Sequence, residues 1–155
     1  MIYLDNNSTT QIDKDVLDEM MPYLNDMFGN AASRTHKFGW DANDAVKIAR
    51  ERVSELINAK PDEIIFTSGS TEGINFIIKG IYDQYSEKGN HIITVKTEHK
   101  AVLDVCTYLE TKGADVTYLN VDEDGLIDLE ELKKAITSKT VLISVMYANN
   151  ETGVI

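Results

Sequence analysis

Apolar residues recur at helical spacing through the first third of the chain. Val16, Leu17, Met20, Met21 and Leu24 follow Asp13, a residue suited to an N-cap, and predict a helix over about 13–25. A second helix is predicted from about Gly39 to Asn58. Trp40, Ala45, Ile48, Ala49, Val53 and Leu56 form its apolar stripe, and Pro61 breaks the pattern. Beyond Pro61 two periods alternate. Strand-like runs lie at about 63–67, 91–96, 115–121 and 140–147, with helical patterns between them at about 71–84, 100–112 and 128–137. Gly89, Gly113 and Gly125 fall in the connections. Strand, helix, strand at this spacing is the signature of βαβ units. The expected class is therefore α/β, a mostly parallel sheet with helices on both faces.

Length and charge narrow the picture. The 155 residues suffice for a core, and 43% of them are hydrophobic, as in ordinary globular proteins. The net charge of −11 argues against binding a phosphate backbone, which needs clustered Lys and Arg. No apolar run reaches the length of a membrane span, and MIYLDNNSTT lacks the make-up of a signal peptide. A single cysteine, Cys106, excludes an internal disulfide framework and a cysteine-rich metal site. Ala101, Val102, Val105, Cys106 and Leu109 share one stripe, so Cys106 reads as a core residue. These features fit a cytoplasmic protein that engages neither nucleic acid nor membrane.

The chemistry collects where strands end. TSGSTEGIN, residues 67–75, places Gly69 among hydroxyl residues at the start of a helix. The first N–H groups of a helix lack intrahelical partners and carry partial positive charge, so with Ser68, Ser70 and Thr71 they can cradle a phosphate. The segment has neither the lysine of a nucleotide P-loop nor the glycine spacing of a dinucleotide fold. A capped helix with no ligand explains it as well. Thr97-Glu98-His99-Lys100 follows the next strand, and Asn149-Asn150-Glu151-Thr152-Gly153 follows the last. In an open α/β sheet ligands sit beyond the carboxyl ends of the strands. Cradle, imidazole and amide together suit a flat aromatic phosphate ester.

NVDEDGLIDLEE, residues 120–131, nearly fits a calcium-binding EF-hand loop. Asn120 stands at its first position, however, and the preceding Val116-Thr117-Tyr118-Leu119 reads as strand rather than helix. A turn followed by a helix capped by Asp128 accounts for the same residues.

YLDNNSTT, NAASRTHKFGW, FTSGSTEGIN, TEHKAVLD and NNETGVI occur in one order and span nearly the whole chain. On these segments the chain closely resembles the N-terminal part of the NifS/IscS-like cysteine desulfurases, pyridoxal-phosphate (PLP) enzymes of the class V aminotransferase group. The resemblance implies the large domain of PLP fold type I over 13–155, with 1–12 belonging to the small domain. It implies Ser70 and Thr71 as phosphate ligands, His99 stacked on the pyridine ring and active in proton transfer, and Asn150 on the ring oxygen and substrate side. Asn7, Asn30 and Ser33 fall in segments near the substrate entrance. Ala31 departs from the family's N-P-x-S turn. The full enzyme is expected to convert L-cysteine to L-alanine and to pass sulfur as a persulfide to iron–sulfur cluster or thio-cofactor assembly. L-cysteine, a sulfur-acceptor or scaffold protein and a second subunit of a homodimer are its implied partners.

The same resemblance places the Schiff-base lysine in a Ser-x-His-Lys segment beyond Ile155. The aspartate for the pyridine nitrogen, the arginine for the substrate carboxylate and the persulfide cysteine are expected downstream too. His36-Lys37 and His99-Lys100 lack the family's flanking glycines, and Cys106 is no substitute for the persulfide cysteine. The 155-residue chain alone is thus expected to be inactive, to bind PLP weakly and to be prone to associate through uncovered apolar helix faces. Another class V PLP enzyme, such as a selenocysteine lyase or an aminotransferase, a non-catalytic remnant, and half of a split enzyme remain alternatives.

Overall fold

A computed structural model describes residues 2–155. The chain forms two compact units, Met1–Phe66 and Thr67–Ile155. The first contains helices α1 (Lys14–Leu24) and α2 (Lys37–Leu56) and a 3-10 turn at Pro61–Glu63. Asp13 caps α1 as its sequence position predicts, its carboxylate accepting from the Asp15 N–H at 2.9 Å. Helix α2 starts two residues earlier than expected. His36 caps it, its Nδ1 accepting from the Gly39 N–H at 3.3 Å. A Cβ on Gly39 would lie 2.0 Å from the Ser33 carbonyl oxygen, so only glycine lets that loop approach the first turn. Neither helix buries a large apolar side chain: α1 has no buried residue, and α2 buries Gly39, Ala42 and Ser54.

The strand expected at 63–67 does not form. Ile64 is extended, but residues 64–67 belong to no described strand. The Arg50 guanidinium instead donates to the Ile64 carbonyl and covers the Phe66 ring at 4.8 Å. Apolar content alone does not make a strand where the ladder has no partner.

The second unit holds α3 (Ser70–Tyr85), β1 (His91–Val95), α4 (Lys100–Glu110), β2 (Asp115–Leu119), α5 (Leu129–Ala135) and β3 (Thr140–Ile143). The strands make one parallel sheet in the order β2-β1-β3, with His91 opposite both Asp115 and Thr140. Successive connections run in opposite directions across this sheet. The right-handed crossover that governs such units therefore carries α4 and α5 to opposite faces. This is the α/β class expected from the pattern. Strand β3 ends four residues short of the expected 147, and β2 ends at Leu119 rather than 121.

The core of this unit lies between β1 and the helices α3 and α4. Ile92 packs with Ile78, Val102, Val105, Cys106 and Leu109, and Ile74, Val116 and Leu142 close its edges. Fully burying one such aliphatic side chain contributes roughly 1.5–3 kcal/mol. On β1 the buried His91 ring joins all three strands, with Nδ1 2.8 Å from the Thr140 hydroxyl and Nε2 2.8 Å from that of Thr117. Residues 120–128 form a turn closed by an antiparallel bridge between Val121 and Ile127. The Asp122 carboxylate accepts from the N–H groups of Asp124 and Leu126 at 3.0 and 2.9 Å. It follows β2 rather than a helix, and Asp128 caps α5.

Candidate functional site

Chain direction brings three segments to one edge of the sheet. Helix α3 precedes β1 and packs on α4 and β3, so its start lies at the carboxyl end of the strands. Helix α4 begins at that same edge, directly after β1. The loop that carries Asn149 and Asn150 leaves it after β3.

The α3 start is an open cradle. Gly69, its N-cap, adopts φ 156° and ψ −178°, a combination reserved in practice for glycine, and nothing lies within 4 Å of where its Cβ would be. No side chain caps the helix, and Ser70 and Thr71 are exposed. The first intrahelical bond runs from the Gly73 N–H to the Gly69 carbonyl at 3.1 Å, which leaves the N–H groups of Ser70, Thr71 and Glu72 without a partner in the helix. Two exposed hydroxyls and three N–H groups thus lie together at the positive end of a helix. The Glu72 carboxylate reaches back to the segment before the helix, where it accepts from the Ser68 N–H at 2.6 Å. The Ser68 side chain and N–H hold its carboxyl below the usual carboxylate range. The segment therefore fits a phosphate group.

His99 stands at the first position of the α4 cap. Its Nδ1 accepts from the Ala101 N–H at 3.1 Å, a bond that leaves Nε2 as the protonated nitrogen of the neutral tautomer. The side chain is exposed, as a ring that stacks on a ligand requires.

Asn150 is exposed beside Glu151, with its amide nitrogen 3.4 Å from the Glu151 carboxylate. The neighbouring Asn149 organises the loop. Its Oδ1 accepts from the N–H groups of Glu151 and Thr152 at 2.8 and 2.9 Å. Its Nδ2 donates to the Thr97 carbonyl at 3.0 Å, across to the segment of His99. Glu98 makes a second link, its buried carboxylate accepting from the Met146 N–H. Burial pushes the Glu98 carboxyl up, and the N–H groups of Met146 and His99 oppose that rise. Sequence reasoning quoted these segments but overlooked Glu98 and Asn149. An acid beside the histidine and a doubled asparagine were the signals available.

Asn7, Asn30 and Ser33 belong to the first unit. There the Asn30 side chain accepts from the Ala32 N–H at 2.9 Å, and the Ser33 N–H donates to the Asn30 carbonyl at 2.9 Å, an ordinary asparagine-started turn. Lys37 and Lys100 sit in exposed ion pairs with Asp41 and Asp104 one helical turn on. Cys106 is fully buried, and desolvation, with Glu110 and Glu98 adding to it, raises its thiol to about 11. Among the described residues no group of three His, Cys, Asp or Glu side chains could hold a metal ion, and no helix is long and apolar enough to cross a membrane.

Comparison with known proteins bears on the chain as a whole. The family model described as aminotransferase class-V matches residues 2–155. A cysteine desulfurase IscS from Ehrlichia chaffeensis is 59% identical over 99% of this chain, which spans 37% of that relative. A namesake from Neisseria meningitidis is also 59% identical over 99% of the chain, which spans 38% of it. Among solved structures, a NifS-like protein superposes with a TM-score of 0.92 at 43% identity, covering 97% of this chain and 41% of that one. SspA in complex with cysteine gives 0.89 at 40% identity, over 96% of this chain and 43% of that one. The chain thus spans well under half the length of these relatives.

Proposed function

Because the chain belongs to the class-V aminotransferase family, we propose that it forms the PLP-binding portion of a cysteine desulfurase. In this reading the whole protein converts L-cysteine to L-alanine and hands the sulfur, as a protein persulfide, to iron–sulfur cluster or thio-cofactor assembly. The observation that carries it is the shared edge of the sheet, where the open α3 cradle and the two loops bearing His99 and Asn150 meet. When bound, PLP supplies an electron sink for charge developing on the amino acid.

The residues of this chain have separate tasks in that reading. Ser70 and Thr71 hold the phosphate with their hydroxyls and N–H groups at the helix dipole. His99 covers one face of the pyridine ring and holds a proton on Nε2. Asn150 offers its amide to the ring oxygen. Asn7, Asn30 and Ser33 line the substrate approach, and residues 1–12 belong to the small domain. A homodimer working in the cytoplasm with a sulfur-acceptor or scaffold protein completes the proposal. The IscS and NifS-like relatives, and the cysteine in the SspA complex, support a desulfurase over other members of the family.

Titration with PLP tests this, followed by borohydride reduction and intact mass. The 155-residue chain is expected to bind PLP saturably and reversibly, with no stoichiometric reduced adduct. Ser70→Ala combined with Thr71→Val should weaken binding by about a hundredfold, two lost hydrogen bonds to a charged group at roughly 1.5 kcal/mol each. Absence of saturable binding by the folded chain, or equal binding by the double variant, would sink the reading. Release of sulfide and alanine from cysteine by the 155-residue chain would overturn the division of labour assumed here.

A further inference from the structure

Buried carboxylates are rare in proteins unless something holds them. Among the described residues the buried polar side chains are Ser54, His91, Thr94 and Glu98, so Glu98 is the one carboxylate in that set. It sits in the short turn between β1 and α4, where its own N–H donates to the Val95 carbonyl at 3.2 Å. The pairing of β1 with the β3 segment runs as far as the Ser144 N–H, which donates to the Ile93 carbonyl at 2.9 Å. The Met146 N–H, two residues further on, meets the Glu98 carboxylate instead of a strand carbonyl. The side chain thus continues the ladder past the last strand residue.

A second bond lies beside it. The Asn149 amide donates to the Thr97 carbonyl at 3.0 Å, and the Asn149 backbone closes its own loop with Val154 and Gly153, both at 2.8 Å. The two bonds join residues 97 and 98 to residues 149 and 146. His99 follows directly on one side and Asn150 on the other.

We propose that Glu98 is a positioning residue: its carboxylate, together with the Asn149–Thr97 bond, clasps the loop after β3 to the loop after β1 and so fixes His99 and Asn150 relative to each other. The part of this that concerns ligand geometry rests on the functional reading above. The clasp itself rests on the hydrogen bonds. A glutamine at 98 keeps an acceptor of the same length, whereas an alanine removes it.

Amide hydrogen exchange and PLP titration on the 155-residue chain, Glu98→Gln and Glu98→Ala test the clasp. In Glu98→Ala the amides of Met146, Glu151, Thr152 and Gly153 should exchange about tenfold faster, while those of Ile92 and Ile93 in β1 stay protected. Glu98→Gln should recover most of that protection, and PLP affinity should fall in the same order. Unchanged exchange over 146–153 in Glu98→Ala overturns the proposal. So does loss of protection throughout β1, which marks a general structural role, or equal PLP affinity in all three proteins. If the unaltered chain takes up no PLP, the functional reading fails, and the exchange pattern alone then decides for or against the clasp.

Discussion

The Nδ1 atom of His99 accepts a hydrogen bond from the Ala101 N–H at 3.1 Å, so the ring proposed to stack on a ligand also closes the first turn of α4. The two tasks use different atoms. Capping uses one nitrogen in the ring plane, and stacking uses the ring face. His99→Ala removes both and should cost about 1 kcal/mol of stability through the lost cap. His99→Asn keeps a capping oxygen and should stay within a few tenths of that figure of the unaltered chain. Both should lose PLP affinity to a similar degree. Thermal unfolding and PLP titration of the pair check this, and equal affinity of His99→Asn and the parent chain would remove the ring from the site. Nitrogen chemical shifts should show the Nε2–H tautomer.

Cys106 shows no sign of a reactive thiol. It is fully buried in the α4 face of the core, and burial, reinforced by Glu110 and Glu98, raises its thiol from the ordinary 9.0 to about 11. The thiolate is the nucleophile, so alkylation of the folded chain at pH 8 should be slow and should track unfolding. The sign for stability follows from the raised value. The thiol's contribution is complete below about 9.0 and is lost as pH rises through about 11. Rapid labelling by iodoacetamide under native conditions would contradict the buried placement.

Much of the second unit is legible in the sequence, and the reasons are local. Helix α4 reads directly from its apolar stripe because that stripe is what the core covers. Strand β1 reads from Ile92, Ile93 and Val95, packed closely in sequence because both of its faces are buried. Residues 63–67 also carry adjacent isoleucines and form no strand; there the Ile64 carbonyl accepts from Arg50. Composition reports what a segment can bury, while pairing depends on residues far away in the chain. The site divides in the same way. Ser70, Thr71 and His99 are visible as helix-start chemistry. Glu98 and Asn149 act through Met146 and Thr97, partners 48 and 52 residues distant, which no local pattern announces.

Glu72 sets an acid limit on the α3 start. Its carboxylate accepts from the Ser68 N–H, and the Ser68 side chain and N–H lower its carboxyl below the ordinary 4.5. A lowered value means that the folded chain favours the charged form. The stabilisation is present above about pH 4.5 and is lost as pH falls through the depressed value. Glu72→Gln should therefore lower stability at neutral pH and flatten part of the acid limb of a stability–pH profile, the two proteins converging at low pH. Urea unfolding between pH 3 and 7 checks this. A variant profile parallel to that of the parent chain would show that the bond does not form in solution.

Thr94 marks a place where the fold can be improved. Its hydroxyl lies on fully buried β1 and has no hydrogen-bond partner among the described residues. An unpaired buried hydroxyl costs about 1–3 kcal/mol relative to a satisfied one. Valine has nearly the same shape and prefers strands as well as threonine does. Thr94→Val should then raise stability by roughly 1 kcal/mol, since the hydroxyl's desolvation is removed and no bond is lost. His91, three residues earlier, behaves in the opposite way. Both of its ring nitrogens are paired, with Thr117 and Thr140, so His91→Phe leaves the Thr117 hydroxyl without its ring partner and the Thr140 hydroxyl with only its Thr137 bonds, and should destabilise by about 2 kcal/mol or more. Urea midpoints for the two variants give the comparison. A destabilised Thr94→Val would mean that its hydroxyl has a partner in solution, and that the strand interior is better satisfied than its hydrogen bonds show.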